Sequence, residues 1–437
     1  MNRHRRRILS AATSLAAVAS LALAGSVHAS DHSQQPTNDH QVLGTVEAAS
    51  LPSAEPIQGG AKIGSTESCS PIALSEQAAH GGATEACVST KPLTRPSSAL
   101  ARTSGQLAVN EACDITKPGY WTWTRTGGMC LNGMEVTYTL RDNNGKGKVV
   151  GTGVMNVKSS MALDAASTSW KELITVQVTA VTGQVKKLNI AFDVGCTSSC
   201  SATNSRPWTG AKSLGKGAQA SGSVAYTDKV ASGGVDNFQT KYHMYVTTTG
   251  SIPIQPNSSW QSLPEAKIRC DAMFATSGCV IPERRATLEY SLSDPKHGAA
   301  AAAYGFAQGK LRNWAPLSRA DGLNTANRAR TCGEKSSDPF VPMPATVPND
   351  SCDEFPFAGS YEGGTDGALC ADIVPLYENG QWMIYEARKD KPVTYKEPCV
   401  RGHVALDANQ SAGGKYGDFV KKQRVIDTEK YNVSVVA

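Results

Sequence analysis

Twelve cysteines, from Cys69 to Cys399, constrain this chain more than any other feature. They are even in number, and all lie downstream of a basic start (Arg3, Arg5, Arg6, Arg7), an apolar run from Ile8 to about Gly25 and a small-residue site at Val27-His28-Ala29. That order reads as a secretory signal peptide over residues 1–29, too short and too early for a membrane span. An exported chain folds where thiols oxidise, so the cysteines are expected to pair. Sequence neighbours suggest Cys69 with Cys87, Cys113 with Cys130, Cys196 with Cys200, Cys270 with Cys279, Cys332 with Cys352, and Cys370 with Cys399. Zinc is the weaker reading: Cys196 and Cys200 have no nearby His or second close cysteine pair to complete a tetrahedral site. No later apolar stretch is long enough to cross a bilayer. The expected product is secreted and extracellular, free of the membrane once the signal is cleaved, with an oligomeric state that sequence does not fix.

Beyond the signal, three regions differ in pattern. Residues 30–110 are rich in Ala, Ser, Gly, Pro and Thr and poor in aromatics, the composition of a low-complexity linker or propeptide. Residues 111–292 alternate with period two: Val136, Tyr138 and Leu140; Ile174, Val176 and Val178; Leu188, Ile190, Phe192 and Val194. Turn sequences such as DNNGKGK separate these runs, so the expectation is a β-sandwich-like all-β domain. Trp121 and Trp123 in GYWTWTRTGG are read as covering one sheet face rather than forming an aromatic binding surface, and His243 as an ordinary strand residue. From 293 to 437 the period changes again. Asp294 and Pro295 can open a helix through KHGAAAAAYGFAQGKL, a second helical stretch follows in LSRADGLNTANRARTC, and the whole reads as a separate α+β unit.

Two segments of that unit carry chemistry. SCDEFPFAGSYEGG, residues 351–364, sets Asp353 and Glu354 beside aromatics and follows them with Glu362. RGHVALDANQSAGGKYGDFVKKQRV, residues 401–425, places Asp407 and Asn409 at the start of a helix running to about Lys422. Oxygen donors facing one another suit a hard cation such as magnesium or manganese, which keeps several waters and needs few protein ligands. A plain N-cap role for Asn409 or Asp407 is the competing reading.

Together, CDEFPFAGSYEGG and NQSAGGKYGDF resemble the NucA/NucB-type family of small secreted bacterial deoxyribonucleases. The resemblance covers the last third of the chain and says nothing of the β-rich region. It implies a nuclease domain with a ββα-metal-type core, in which a hairpin carries the base and a helix carries a metal ligand, acting on DNA without sequence preference and needing Mg or Mn. Asp353 matches the family's base, and Asn409 its metal-binding asparagine. Glu354 and Glu362 match acidic positions of the catalytic set, and Asp418 could reach the same cation's waters. About thirty residues between Glu362 and Asn409 depart from the short family members; Val374–Tyr385 within them reads as a hairpin around the ENG turn.

Phosphate contacts are sought in Arg319, Arg328, Arg330 and Arg401, whose guanidinium forks match phosphate geometry, with solvated surface arginines as the bland alternative. From Pro295 onward the chain has 17 basic and 17 acidic residues, so any DNA groove must arise from local charge separation. His297 reads as a surface residue. His403, in RGHVALD, is a rival for the base, though only six residues separate it from Asn409, too few for a hairpin between them. Two other classes of function remain open: a secreted binding or adhesion protein with an inactive nuclease-like domain, and a polysaccharide hydrolase using Asp353 and Glu362 as paired carboxylates.

Overall fold

Period-two alternation in the first part of the chain is realised as two large antiparallel sheets, with a small third one of Val235–Phe238, Ile268–Asp271 and Gly278–Val280, around one core. The structure, a computed structural model, describes residues 40–46, 48, 61, 62, 64–95, 112–114, 116–142, 147–248, 250, 252–312, 314 and 316–437. The expected signal peptide and parts of the 30–110 segment lie outside the described residues. All twelve cysteines are paired as sequence proximity suggests. Among the described residues no helix is long and apolar enough to cross a membrane. Six disulfides are the chemistry of an oxidising, extracellular setting.

The first described strand, β1 (Val42–Thr45), pairs with a strand far along the chain. A hairpin of β2 (Thr66–Pro71) and β3 (Glu85–Pro92) is tied by Cys69–Cys87. It belongs to the larger sheet, because β3 pairs along its length with β4 (Gly128–Asp142). The linker reading of 30–110 therefore fails for residues 66–92. Ladder hydrogen bonds and a cross-link offset the ordering entropy that their composition alone could not.

From β4 the sheet continues through β5 (Lys148–Ala162) and β6 (Ser169–Gly183). A second sheet is built on β7 (Leu188–Cys196); β8 (Gln219–Thr227) returns to the first beside β6, and β9 (Thr240–Thr247) pairs with β7. Inward residues of both sheets share one apolar core, with Val136, Tyr138, Ile174, Val176, Ile190, Phe192 and Met244 all buried. Trp121 and Trp123 are 2% and 5% exposed and lie in this core, not on a binding surface. His243 faces outward and meets the Ser259 hydroxyl at 3.0 Å.

The α+β unit begins earlier than residue 293. Strand β10 (Ala286–Ser291) continues the period-two pattern, yet it pairs in parallel with a strand at the C-terminal end of the chain. Asp294 caps a turn rather than the helix, its Oδ1 accepting from the Lys296 amide at 2.8 Å, and α1 starts four residues later as Gly298–Phe306. Ala300, Ala301, Ala302 and Ala303 are all fully buried, so α1 is apolar all round and central. That explains why His297, read as a surface residue, is 4% exposed. The second helix is shorter than its sequence suggests, α2 (Asn324–Thr331).

Next come β11 (Asp350–Phe355), β12 (Ala371–Glu378), β13 (Gln381–Glu386) and β14 (Val400–Ala405), then α3 (Leu406–Lys422) and β15 (Lys430–Val436). The β12–β13 hairpin turns at Asn379-Gly380, both with positive φ, as a tight two-residue turn requires. The sheet order is β1–β13–β12–β14–β11. The thirty-residue excursion thus extends the sheet beyond β14 and leaves β11 and β14 as antiparallel neighbours. β14 then runs directly into α3.

The far end of α3 is gripped by the β-rich region. The Gln423 carbonyl accepts from Arg125 Nε at 2.7 Å, and the Arg424 carbonyl accepts from both Arg125 and Arg269. Arg424 itself, 1% exposed, is paired with Asp271, and Glu429 bridges Arg125 and Arg269. Cations at a helix C-terminus meet its partial negative charge, and each buried charge here has a partner of opposite sign.

Candidate active site

Asp353 and Glu354 lie on β11, the edge strand of the sheet, and both are nearly inaccessible, at 5% and 4% exposure. Strand alternation sends their side chains to opposite faces. Asp353 pairs with Gly402 and faces α1; a Cβ on Gly402 would come within 3.1 Å of the Ala303 methyl, so glycine there gives the helix room. Glu354 pairs with Arg401 and faces α2. Both acids line one cavity of about 310 Å³ beside α3.

The Tyr304 hydroxyl, at 2.9 Å from each Asp353 oxygen, donates into that carboxylate from α1. Burial, aided by the neighbouring Glu354 charge, pushes the Asp353 carboxyl up to about 8, against the Tyr304 hydrogen bond and the Arg328 charge. Burial also raises Glu354, opposed chiefly by Arg328, whose Nε is 3.3 Å from its Oε1. Tyr290, Phe357 and Tyr416 form the cavity's aromatic wall. The Tyr416 hydroxyl donates to the Gly359 carbonyl at 2.8 Å, and its ring leaves no room for a Cβ at Gly359.

Asn409 closes the site from α3. It lies inside the helix rather than at its cap, which is Ala405, so the N-cap reading does not describe it. Its amide nitrogen donates to the Ser351 hydroxyl at 3.1 Å and to the Cys352 carbonyl at 2.8 Å. Its amide oxygen makes no hydrogen bond among the described residues, and Asn409 lines the cavity. At the rim, Arg319 is held by Asp321 at 2.9 Å, while Arg328 is 62% exposed and extends over Glu354.

Of the residues singled out from sequence, the cavity gathers Asp353, Glu354, Asn409, Arg319 and Arg328. The others lie elsewhere. Glu362 accepts from the Ser318 amide at 2.8 Å and anchors its loop, which removes the second carboxylate from the paired-acid hydrolase reading. Arg401 is 1% exposed and locked onto Asp372 at 2.6 Å, with further bonds to the Thr331 and Asp338 carbonyls, so it cannot reach a phosphate. Asp418 is exposed on the outer side of α3 and pairs with Lys422 at 3.7 Å. Arg330 is exposed at the end of α2, outside the lining. His403 is 3% exposed, held by Asp350 at 2.6 Å and packed against Phe340, and it does not line the cavity.

Sequence reasoning missed Tyr304. Its one local signal is a lone hydroxyl-bearing side chain in an otherwise apolar helix, and nothing nearby indicates that its partner lies 49 residues on.

The donor set suits a hard cation held by few ligands: an unbonded amide oxygen and two carboxylates, with room for water. Among the described residues, two groups of Cys and Glu side chains converge closely, Glu67 with Cys69 and Cys87, and Glu354 with Cys332 and Cys352, and the cysteines of both are disulfide-bonded and are not ligands. No known protein family matches this chain, and no curated protein does.

Proposed function

We propose that this protein is a secreted, metal-dependent endonuclease that hydrolyses phosphodiester bonds in DNA without sequence preference. One observation carries the reading: the buried Asp353–Glu354 pair and Asn409, whose amide oxygen makes no hydrogen bond among the described residues, line a single cavity with Arg319 and Arg328. The order of elements fits it, with β11 and β14 antiparallel and α3 following β14 at once, the arrangement a ββα-metal-type core would need.

In this reading Asp353 takes a proton from the attacking water, and Tyr304 fixes the direction in which its carboxylate points. A carboxyl raised by burial is a better base than a free one once it is ionised. Arg328 and Arg319 hold the phosphate oxygens through their guanidinium groups. Glu354 keeps Arg328 extended across the mouth of the cavity. Asn409, with waters completing the shell, would hold the divalent cation, Mg or Mn, which would supply Lewis-acid stabilisation of the phosphate and the leaving oxygen. The site lies in a neutral unit, so attraction to DNA rests on these rim arginines and falls as salt rises.

Nicking of supercoiled plasmid by the purified oxidised protein, with magnesium or with EDTA, is the direct test. Cleavage with magnesium and none with EDTA is expected; no cleavage under either condition rejects the reading. Asn409→Ala should lower activity by roughly 10–10²-fold, with partial recovery at high magnesium. A purely structural asparagine would instead cost about 1 kcal/mol of stability and leave metal dependence unchanged.

A further inference from the structure

We propose that Asp228, Asp236 and Ser199 in the β-rich region hold a calcium ion, at a site distinct from the cavity that Asp353 lines. The Cys196–Cys200 disulfide closes a short loop, in which Ser198 takes a positive φ of 61°. Ser198 and Ser199 meet two acids there. Asp236, in the strand Val235–Phe238, accepts from the Ser198 hydroxyl at 2.5 Å and from the Ser199 and Asn237 amides at 3.2 and 2.9 Å. Asp228 directly follows β8 and is 3% exposed. The Ser199 hydroxyl stands 2.6 Å from Asp228 Oδ1 and 2.8 Å from Asp236 Oδ2. It carries one proton and can donate to only one of them.

A second observation points to a cation. Asp228 Oδ2 is shut off from water and meets no donor. Burial raises the Asp228 carboxyl against the Ser199 hydrogen bond, and the charge beside it, Asp236, has the same sign and raises it further. Other buried acids of this fold are compensated. Asp271, Asp372 and Glu354 each meet an arginine, and Glu172 meets two tyrosine hydroxyls. A buried carboxylate without such a partner is costly until a cation joins it. Oxygens 2.6 and 2.8 Å apart match neighbours in a calcium shell, whose ligands stand about 2.3–2.6 Å from the ion. A bidentate carboxylate engages both of its oxygens, which would satisfy Asp228 Oδ2 as well. Ser198 and Ser199 are exposed and Asp236 is half-buried, so waters can complete the shell. The ion would fasten the disulfide loop and the end of β8 to Val235–Phe238. That strand pairs with Ile268–Asp271, whose Asp271 holds Arg424.

The test uses the full-length oxidised protein, stripped with EDTA, dialysed, and melted by circular dichroism with and without millimolar calcium chloride. Calcium should raise the wild-type midpoint by about 2–4 °C. Asp228→Asn and Asp236→Asn should each abolish that shift, whereas Asn409→Ala, in the other cavity, should keep it. Should Asp228→Asn fail to fold, Asp236→Asn decides, since its half-buried side chain has donors to spare. Absence of a calcium shift in the wild type overturns the inference and leaves the two carboxyls sharing a proton. A shift that survives in Asp236→Asn, or one lost in Asn409→Ala, overturns it too, because the ion would then bind elsewhere. The nuclease reading stands or falls separately, on plasmid cleavage.

Discussion

Each half of the molecule buries an acid against tyrosine hydroxyls, and the two differ in what else is near. In the β-rich region Glu172, 1% exposed, accepts from Tyr226 and Tyr242, each at 2.8 Å, has the Ser159 hydroxyl beside it, and is otherwise enclosed by the apolar core. In the α+β unit Asp353 accepts from Tyr304, but a second acid, two arginines and Asn409 line the same cavity. Burial raises both carboxyls. A shifted acid alone therefore says little about function; access and convergent partners distinguish a site from a satisfied core residue.

The contrast breaks first if the halves separate. A chain cut to residues 293–437 loses β10 from the side of β15, β1 from the edge of β13, and Arg125 and Arg269 from Glu429 and the end of α3. It should show no cooperative thermal transition by circular dichroism, whereas residues 30–437 should melt as one. Within the intact protein, Asp353→Asn should slow plasmid cleavage by roughly 10²–10⁴-fold with the fold kept, while Glu172→Gln stays within a few-fold of wild type. Equal losses for both would erase the distinction.

Stability against pH sharpens it further. In EDTA the folded protein holds a proton on Asp353 up to about pH 8 that the unfolded chain releases above about pH 4. Stability should therefore fall as pH rises through that window, at up to about 1.4 kcal/mol per pH unit. Glu172, also raised by burial, acts with the same sign. Asp353→Asn and Glu172→Gln should each flatten part of the decline in denaturation midpoints measured from pH 5 to 8. The smallest effect on turnover belongs to His403→Ala, within a few-fold of wild type, together with a loss of stability from the stranded Asp350. Loss of cleavage in that variant would move the base from Asp353 to His403.

What sequence made legible was local. Period two gave the strands of the sandwich-like region, Asn379-Gly380 gave the hairpin, and the stretch after His403 gave α3 to its last residue, Lys422. Close cysteine spacing gave the disulfides. Pairings between distant segments left no such mark. Nothing in Ala286–Ser291 says that its partner is Lys430–Val436, and nothing in Val42–Thr45 points to β13. Arg401 departs from the expectation that a basic residue stands at the surface. Its neighbours Val400 and Val404 mark a buried strand, and Asp372 in ADIVPL is the counter-charge that such a strand requires. Asp353, Glu354 and Asn409 could be found because their spacing survives in the chain, whereas Tyr304 depends on how α1 crosses the sheet.

The pairing of β1 with β13 also sets an order of events during folding. His40 meets the carbonyl of Glu386, 346 residues further on, and Gly44 and Thr45 pair with Ile384 and Met383. Ribosomes make the first of these segments long before the second, so β1 waits without a partner until nearly the whole chain exists. Loop-closure entropy grows only slowly with length, and the burden falls on time more than on stability. Meanwhile the outer rim of β13 is an unpaired, adhesive edge. Residues 42–45 of a second copy carry the same pairing groups as the chain's own, so the closure of this edge is the step of folding most exposed to protein concentration.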